Sequence, residues 1–454
     1  MFKIFVPSLA RALLHTPSLK PIKTKAMKRI LHPILLSKDV SQHRKQIEII
    51  GFRPFPDAEP PTGFNLEYTG ERHLLTIAPT GSGKSTACIV PNLLNYKHPV
   101  VVFDPKGELY KVTARRRREM GHRVILLDPF QEVETNRKRD SLNVMEIIGM
   151  SEDPFLECQS LAYNLSGKGF SNDPYWDDNA RALLSGVIYY VWKYNKEEEK
   201  NLQGVISMLM GDDLDYNLAV ILDNNKDLPR EIRESFISYL SIPSDKTRPC
   251  VLSTIQSYLH IYMSKSVLHS LNDTSFRLKD FTNGKPLDIY IVFPQDKLRS
   301  HSRLFVQWLI LLMRSVATRK HLVRTDTLFI IDEAAVIGPN DYIANFLTIC
   351  RGYNTRLWLF FQDLQQILNC YKNEHKTIIN NCGIIQVFGI NAWNAANDLR
   401  QIINVYPDTI RKLQDDRQIV ISENMEYIGC KKIDYLSDPD FNGLWDPNPF
   451  YRYK

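Results

Sequence analysis

The sequence predicts an α/β protein built on a mainly parallel sheet, and three observations predict it. Short, continuously apolar runs recur between stretches of helical spacing, as expected of strands covered on both faces. The first of these runs opens directly into a glycine-rich loop that ends in Lys-Ser and leads into a helix. A later run, Leu328-Phe329-Ile330-Ile331, ends in two adjacent acids, Asp332 and Glu333.

His73-Leu74-Leu75-Thr76-Ile77 reads as a buried strand. Ala78-Pro79-Thr80-Gly81-Ser82-Gly83-Lys84-Ser85-Thr86 follows, and Ala87-Cys88-Ile89-Val90 begins a helix. Strand, loop and helix together make a phosphate cradle. Gly81 and Gly83 permit positive φ and turn backbone N–H groups toward one point. The helix N-terminus adds its dipole. Lys84 reaches β- and γ-phosphates, and the Ser85 hydroxyl suits Mg²⁺. The candidate nucleotide-binding residues are therefore Thr80, Gly81, Ser82, Gly83, Lys84, Ser85 and Thr86. Ala78 replaces the first glycine of the strict pattern, which narrows the loop's φ without closing the cradle. The competing reading, a Gly/Ser surface loop, explains neither the Lys-Ser ending nor the flanking elements.

Pro99-Val100-Val101-Val102-Phe103 reads as a second buried strand and runs into Asp104-Pro105-Lys106-Gly107-Glu108. Ligands of open α/β sheets sit at the carboxyl ends of strands, so this loop belongs beside the phosphates. A helix over about 108–120 carries Arg115-Arg116-Arg117-Arg118, and Arg123-Val124-Ile125-Leu126-Leu127 is a third strand. From about residue 140 the pattern turns helical through Asp178 to Trp192, Leu202 to Met210 and Ile232 to Leu240, which implies an inserted all-α domain. Strands return at Leu287 to Phe293 and Thr327 to Ile331, with a helix over about 300–318 between them. A helix near 341–350 precedes strands at Leu357 to Phe361, Gly383 to Gly389 and Gln418 to Ser422. The expected division is a basic segment 1–50, a nucleotide-binding domain 51–139 and 263–454, and the all-α domain 140–262. The aromatic, proline-rich stretch after Asp434 carries no assignable pattern.

The 454 residues hold 57 Lys and Arg against 51 Asp and Glu, a net charge of +6. Residues 1–37 hold seven basic side chains and no acid, which leaves the remainder near neutral. Attraction to nucleic acid must then come from local patches. For the basic segment, three readings stand: a solvated tail, an anchor to a membrane surface or membrane partner, and a nucleic-acid arm. Residues 51–70, with Gly51 to Pro56 and Pro60 to Gly63, are proline-rich and read as extended entry into the first domain. Seven cysteines without a metal-ligand or paired spacing argue for a reducing compartment and against disulfides or structural zinc. Leu304 to Met313 is too short to span a bilayer, no secretory signal is evident, and a cytoplasmic location follows as the expectation.

Asp332 and Glu333 at the end of an apolar strand form the Walker B pattern. Asp332 would hold Mg²⁺ through water, and Glu333 would orient or deprotonate an attacking water. A glutamate after the aspartate favours hydrolysis over simple binding; the plainer alternative is a core strand ending in a solvated acid pair. Gln362 stands at the end of the next strand, either as a reader of the γ-phosphate or as a turn residue. Arg351 and Arg356 lie between the two strands, and either suits an arginine finger across a subunit boundary or a plain surface arginine.

Several stretches together resemble one family, the type IV secretion coupling proteins. They are APTGSGKST with IVPNLL (89–94), VVFDPKGELY (101–110), VILLDPF (124–130), DPYWDDNARALL (173–184), LFIIDEAAVIG (328–338), CRGYNTRLWLFFQDLQQI (350–367) and NNCGIIQVFGIN (380–391). The resemblance implies a RecA-like P-loop NTPase domain with an inserted all-α domain, forming a homo-hexameric ring, or a monomer in isolation, with ATP at subunit interfaces. It implies ATP and Mg²⁺ as cofactors, Lys84 and Ser85 on phosphate and metal, Asp332 and Glu333 in hydrolysis, Gln362 as sensor and Arg351 as finger. The implied partners are DNA, relaxase or effector proteins, and the secretion channel. Two departures stand out. Ser85 occupies a position where many members have glycine, and the transmembrane helices with which members usually begin are not evident. The basic segment would then make any peripheral contact with the cytoplasmic face of the inner membrane. The expected function is an ATP-hydrolysing coupling protein or DNA-translocating motor. The rival is a nucleotide-binding docking receptor with little or no hydrolysis. A DNA-processing helicase has no further motif behind it.

Overall fold

In chain order the strands are β1 (Ile34–Ser37), β2 (Leu66–Tyr68), β3 (His73–Ile77), β4 (Val100–Asp104), β5 (Arg123–Leu127), β6 (Leu287–Val292), β7 (Thr327–Ile331), β8 (Thr355–Phe361), β9 (Cys382–Val387), β10 (Arg417–Ser422) and β11 (Tyr427–Lys431). This computed structural model describes residues 34–37, 66–166, 174–243, 246–338, 341–422 and 427–451. Nine strands form one sheet in the order β11-β10-β9-β3-β8-β7-β4-β6-β5. From β9 to β5 all neighbours are parallel, and β10 and β11 close the far edge as an antiparallel hairpin.

The parallel strands β3, β4, β7, β8 and β9 are buried at every residue, which is why they read as unbroken apolar runs. Alternate residues feed two cores. Leu75, Ile77, Val101 and Phe103 join the core on one face; Leu74, Val100 and Val102 join that on the other. Between β5 and β6 every described element is helical, including Pro154–Ser166, Pro174–Tyr194, Thr247–Leu259 and Leu278–Thr282. Val187, Ile232 and Ile255 of this insertion belong to the same contiguous core as Leu75. The helices therefore cover one face of the sheet as well as packing on one another.

The basic segment is corrected at one place. Ile34–Ser37 is neither a tail nor an arm but a buried strand, paired antiparallel with β2. Asn92 holds it from the helix behind the phosphate loop: Leu35 N–H donates to Asn92 Oδ1 (2.9 Å) and Asn92 Nδ2 donates to the Leu35 carbonyl (2.9 Å). Gln418 Nε2 donates to the Leu36 carbonyl (2.7 Å), and the Ser37 hydroxyl donates to the Lys431 carbonyl (2.7 Å). The remaining readings of residues 1–33 and 38–65 fall outside the described residues. Among the described residues no helix is long and apolar enough to cross a membrane, and all seven cysteines are free.

A buried polar chain ties the strands beneath the phosphate loop. Trp358 Nε1 donates to Thr76 Oγ1 (2.9 Å), Thr76 Oγ1 to Gln386 Oε1 (3.0 Å) and Gln386 Nε2 to Gln418 Oε1 (3.0 Å). Such a satisfied chain fixes strand register, because slipping one strand would orphan several buried groups.

His73 starts β3 and is fully buried. Its Nδ1 accepts from Leu357 N–H (3.1 Å) and its Nε2 lies 2.8 Å from the Leu347 carbonyl, so the neutral tautomer protonated at Nε2 fits both. Burial pushes its pKa down from 6.5 to about 4. The folded state thus binds fewer protons than the unfolded state between these values, and stability falls as pH falls through that window. His73→Gln removes this term. Urea unfolding across pH 8 to 4 will show the variant less stable at pH 8, with the gap to wild type closing by about 1.4 kcal/mol per pH unit below pH 6.5.

Candidate functional site

The loop after β3 is anchored by Ala78 N–H, which donates to the Phe361 carbonyl at the end of β8 (2.9 Å). Gly81 (φ 79°) and Gly83 (φ 92°) adopt the left-handed region that lets the loop curl. Ser82 Oγ donates to the Pro79 carbonyl (2.6 Å) and Thr86 Oγ1 to the Gly83 carbonyl (3.0 Å), which closes the loop on itself. Lys84 Nζ donates to the carbonyls of Ala78 (2.9 Å) and Pro79 (3.3 Å), across the mouth of the cradle.

The end of β4 comes alongside. Asp104 is buried and accepts backbone N–H groups from Tyr110 (2.9 Å) and Lys106 (3.4 Å), which pins the turn into helix Glu108–Glu119. Burial pushes its carboxyl up to about 7 against those hydrogen bonds. Gly107 (φ 68°) is required there, since a Cβ would meet Val133 at 2.7 Å. The turn delivers Glu108, whose Oε1 accepts from the Ser85 hydroxyl (3.4 Å).

From β7 come Asp332 and Glu333. Burial is the main cause that pushes the Asp332 carboxyl up to about 7; Lys84 pulls it down, while Glu333 and Glu108 push it up. Glu333 sits at φ 64°, unusual for a residue with a Cβ and a mark of local strain. That conformation turns its carboxylate toward β8, where Gln362 Nε2 donates to Glu333 Oε1 (2.7 Å). Gln366 Nε2 approaches the same oxygen (3.4 Å), and its Oε1 accepts from Gln362 N–H (2.8 Å).

These groups converge. A cavity of about 230 Å³ is lined by Thr80, Gly81, Gly83, Lys84, Ser85, Thr86, Pro105, Lys106, Glu108, Asp332, Glu333, Phe450 and Tyr451. Lys84 and Asp332 therefore face the same space. Ser82 turns its hydroxyl back into the loop, and Gln362 reaches the cavity through Glu333. Ser85 and Asp332 supply the hard oxygen donors that Mg²⁺ takes, and a carboxyl raised by burial and neighbouring acids is the kind that a cation relieves. Among the described residues no group of three or more His, Cys, Asp or Glu side chains is arranged to hold a metal by itself.

The two arginines part company. Arg356 is buried against Asp326: its Nε donates to Asp326 Oδ2 (2.9 Å) and its NH2 to Tyr96 OH (3.3 Å). It is a core ion pair and not a finger; an arginine needed by Asp326 inside the protein cannot serve a neighbour. Arg351 is 54% exposed and pairs loosely with Glu71 (3.4 Å) before the amino end of β8, at the opposite end of the strands from the cradle.

Four contributors were not foreseen. Lys432, just after β11, donates from Nζ to the Ser82 carbonyl (2.8 Å) and lies over the Phe388 ring (5.0 Å). Glu108 was within reach of sequence reasoning, since the loop after β4 was expected beside the phosphates. Lys432, Phe450 and Tyr451 had no local signal, because only tertiary folding brings them to the loop.

A family model described as Type IV secretory system Conjugative DNA transfer matches residues 44–404. A conjugal transfer protein TraG of Escherichia coli is 26% identical over 362 residues, covering 72% of this chain and 54% of that protein. The chain thus spans about half the length of the curated relatives it matches. The fold is similar to that of the unbound bacterial conjugative coupling protein TrwBdeltaN70 (TM-score 0.63, 15% identity, 92% of this chain and 96% of that one). It is also similar to plasmid coupling protein TrwB in complex with ADP and Mg²⁺ (TM-score 0.60, 15% identity, 91% and 97%).

Proposed function

Because the chain belongs to the type IV secretory system conjugative DNA transfer family, we propose that it is an ATP-hydrolysing coupling protein that recruits DNA–relaxase or protein substrates to a secretion channel and drives their transfer. The observation that supports this most is the shared cavity, with Lys84 and Ser85 on one wall and Asp332 and Glu333 on the other. The TrwB structure with ADP and Mg²⁺ supports the same cofactor pair here.

The residues divide the work. The loop N–H groups and Lys84 bind the triphosphate, and Lys84 exchanges its carbonyl partners for phosphate oxygens. Ser85 and Asp332 would hold Mg²⁺, which neutralises charge on the β- and γ-phosphates. Glu333 takes the proton of the attacking water, and Gln362 orients Glu333 and registers the γ-phosphate through that contact. Arg351 reaches a neighbour's site in a homo-hexameric ring. The helical insertion, for which we place boundaries at 140 and 262, presents a substrate-facing surface on this reading, and the basic residues before Ile34 make peripheral contact at the cytoplasmic face of the membrane.

DNA contact on this reading is to the backbone and independent of sequence. ATP turnover measured with and without DNA in about 50 mM salt will rise several-fold with DNA, and the stimulation will fade toward about 200 mM. Turnover without any DNA response at low salt would assign the motor to protein substrates.

A further inference from the structure

The stretch after Asp434 is held along helix Glu108–Glu119 and reaches the cavity at Phe450 and Tyr451. Asp446 N–H donates to the Val112 carbonyl (2.9 Å), and Arg115 Nε donates to Asp446 Oδ1 (2.7 Å). The pin is Asn448, which is buried. Its Nδ2 donates to Glu108 Oε2 (3.0 Å) and its Oδ1 accepts from Phe450 N–H (3.0 Å). Tyr451 N–H closes the turn on the Asn448 carbonyl (3.1 Å). The backbone of the two aromatics is thus fixed from several sides, while Phe450 and Tyr451 remain 61% and 39% exposed and line the cavity. Lys111 Nζ lies 5.8 Å from the centre of the Phe450 ring.

A phosphate cradle needs N–H groups, a lysine and hydroxyls. It does not need flat apolar surface, and among the described residues these two rings are the aromatic part of the cavity lining. A nucleotide brings both chemistries: charge at one end and a flat base at the other. We propose that Phe450 and Tyr451 form the base-stacking wall of the nucleotide site, set in place by Asn448 and Glu108. A stacking wall meets the face of a base and not its hydrogen-bonding edge, so it accepts adenine and guanine alike. The proposal rests on the nucleotide reading of the cradle.

The test is calorimetric titration of the full chain with Mg²⁺–ADP, Mg²⁺–GDP and Mg²⁺–tripolyphosphate. In Phe450→Ala/Tyr451→Ala the affinity for both diphosphates falls about 10- to 100-fold, as expected for lost stacking, while tripolyphosphate binding is unchanged. Phe450 is 61% exposed and Tyr451 39%, so unchanged tripolyphosphate binding serves as the control for folding; Phe450→Trp keeps most of the affinity. Equal losses for nucleotide and tripolyphosphate, no loss for either, loss for one base only, or tighter nucleotide binding would each overturn the wall. Wild-type protein that binds none of the three probes would instead overturn the nucleotide reading beneath it.

Discussion

Replacing Glu333 with glutamine lowers steady-state ATP turnover by about 10²- to 10⁴-fold, the usual worth of a positioned general base. The substitution is close to isosteric. Its remaining carbonyl oxygen can still accept from Gln362 Nε2, which donates to Glu333 Oε1 at 2.7 Å, and the strained backbone at φ 64° has the same Cβ to carry. Binding of Mg²⁺–ADP is therefore retained while the proton acceptor is lost. That pairing separates the motor from the docking receptor: a receptor uses the cradle without the base. Equal turnover in wild type and variant would remove the hydrolytic mechanism and leave the docking receptor standing.

Arg351→Ala lowers turnover by about 10³- to 10⁵-fold in assembled protein, the range known for arginine fingers. The argument is geometric. Arg351 precedes β8, a seven-residue strand whose far end touches the cradle, so strand rise alone separates it from its own phosphates by roughly 20 Å. Any phosphate it meets belongs to another copy. Its pairing with the half-buried Glu71, 3.4 Å away, is of the weak kind made by partly exposed pairs. Mixing makes the test selective. Lys84→Ala subunits cannot hold nucleotide but still offer Arg351, whereas Arg351→Ala subunits hold nucleotide but offer no finger. Each is inactive alone, and mixed assemblies recover part of the wild-type rate. Full activity of Arg351→Ala, or no recovery on mixing, would remove Arg351 from the mechanism.

Much of this site was legible because its parts are local. The cradle is one continuous stretch, Ala78 to Thr86, and the acids end a strand whose five residues are all buried. Strands β3, β5 and β7 fall where their apolar runs start and stop. What escaped depends on long-range contact. β11 has a single buried residue, Cys430, and so carries no periodic signal, yet it delivers Lys432 to the loop. Arg356 looked like a surface cation because Asp326, thirty residues earlier, gives no sign in the sequence that it will be buried beside it. The strand Ile34–Ser37 sat in a stretch whose basic composition spoke louder than its four apolar and small residues.

That short strand has a mechanical consequence. Asn92 grips both backbone groups of Leu35 and lies on the helix Val90–Asn95, which continues the turn that begins at Ser85. Tension applied upstream of Ile34 would travel through two hydrogen bonds into the rod that begins beside Lys84. A tether attached there would pull directly on the helix that carries the phosphate cradle, so mechanical load and the cradle would meet in a single element.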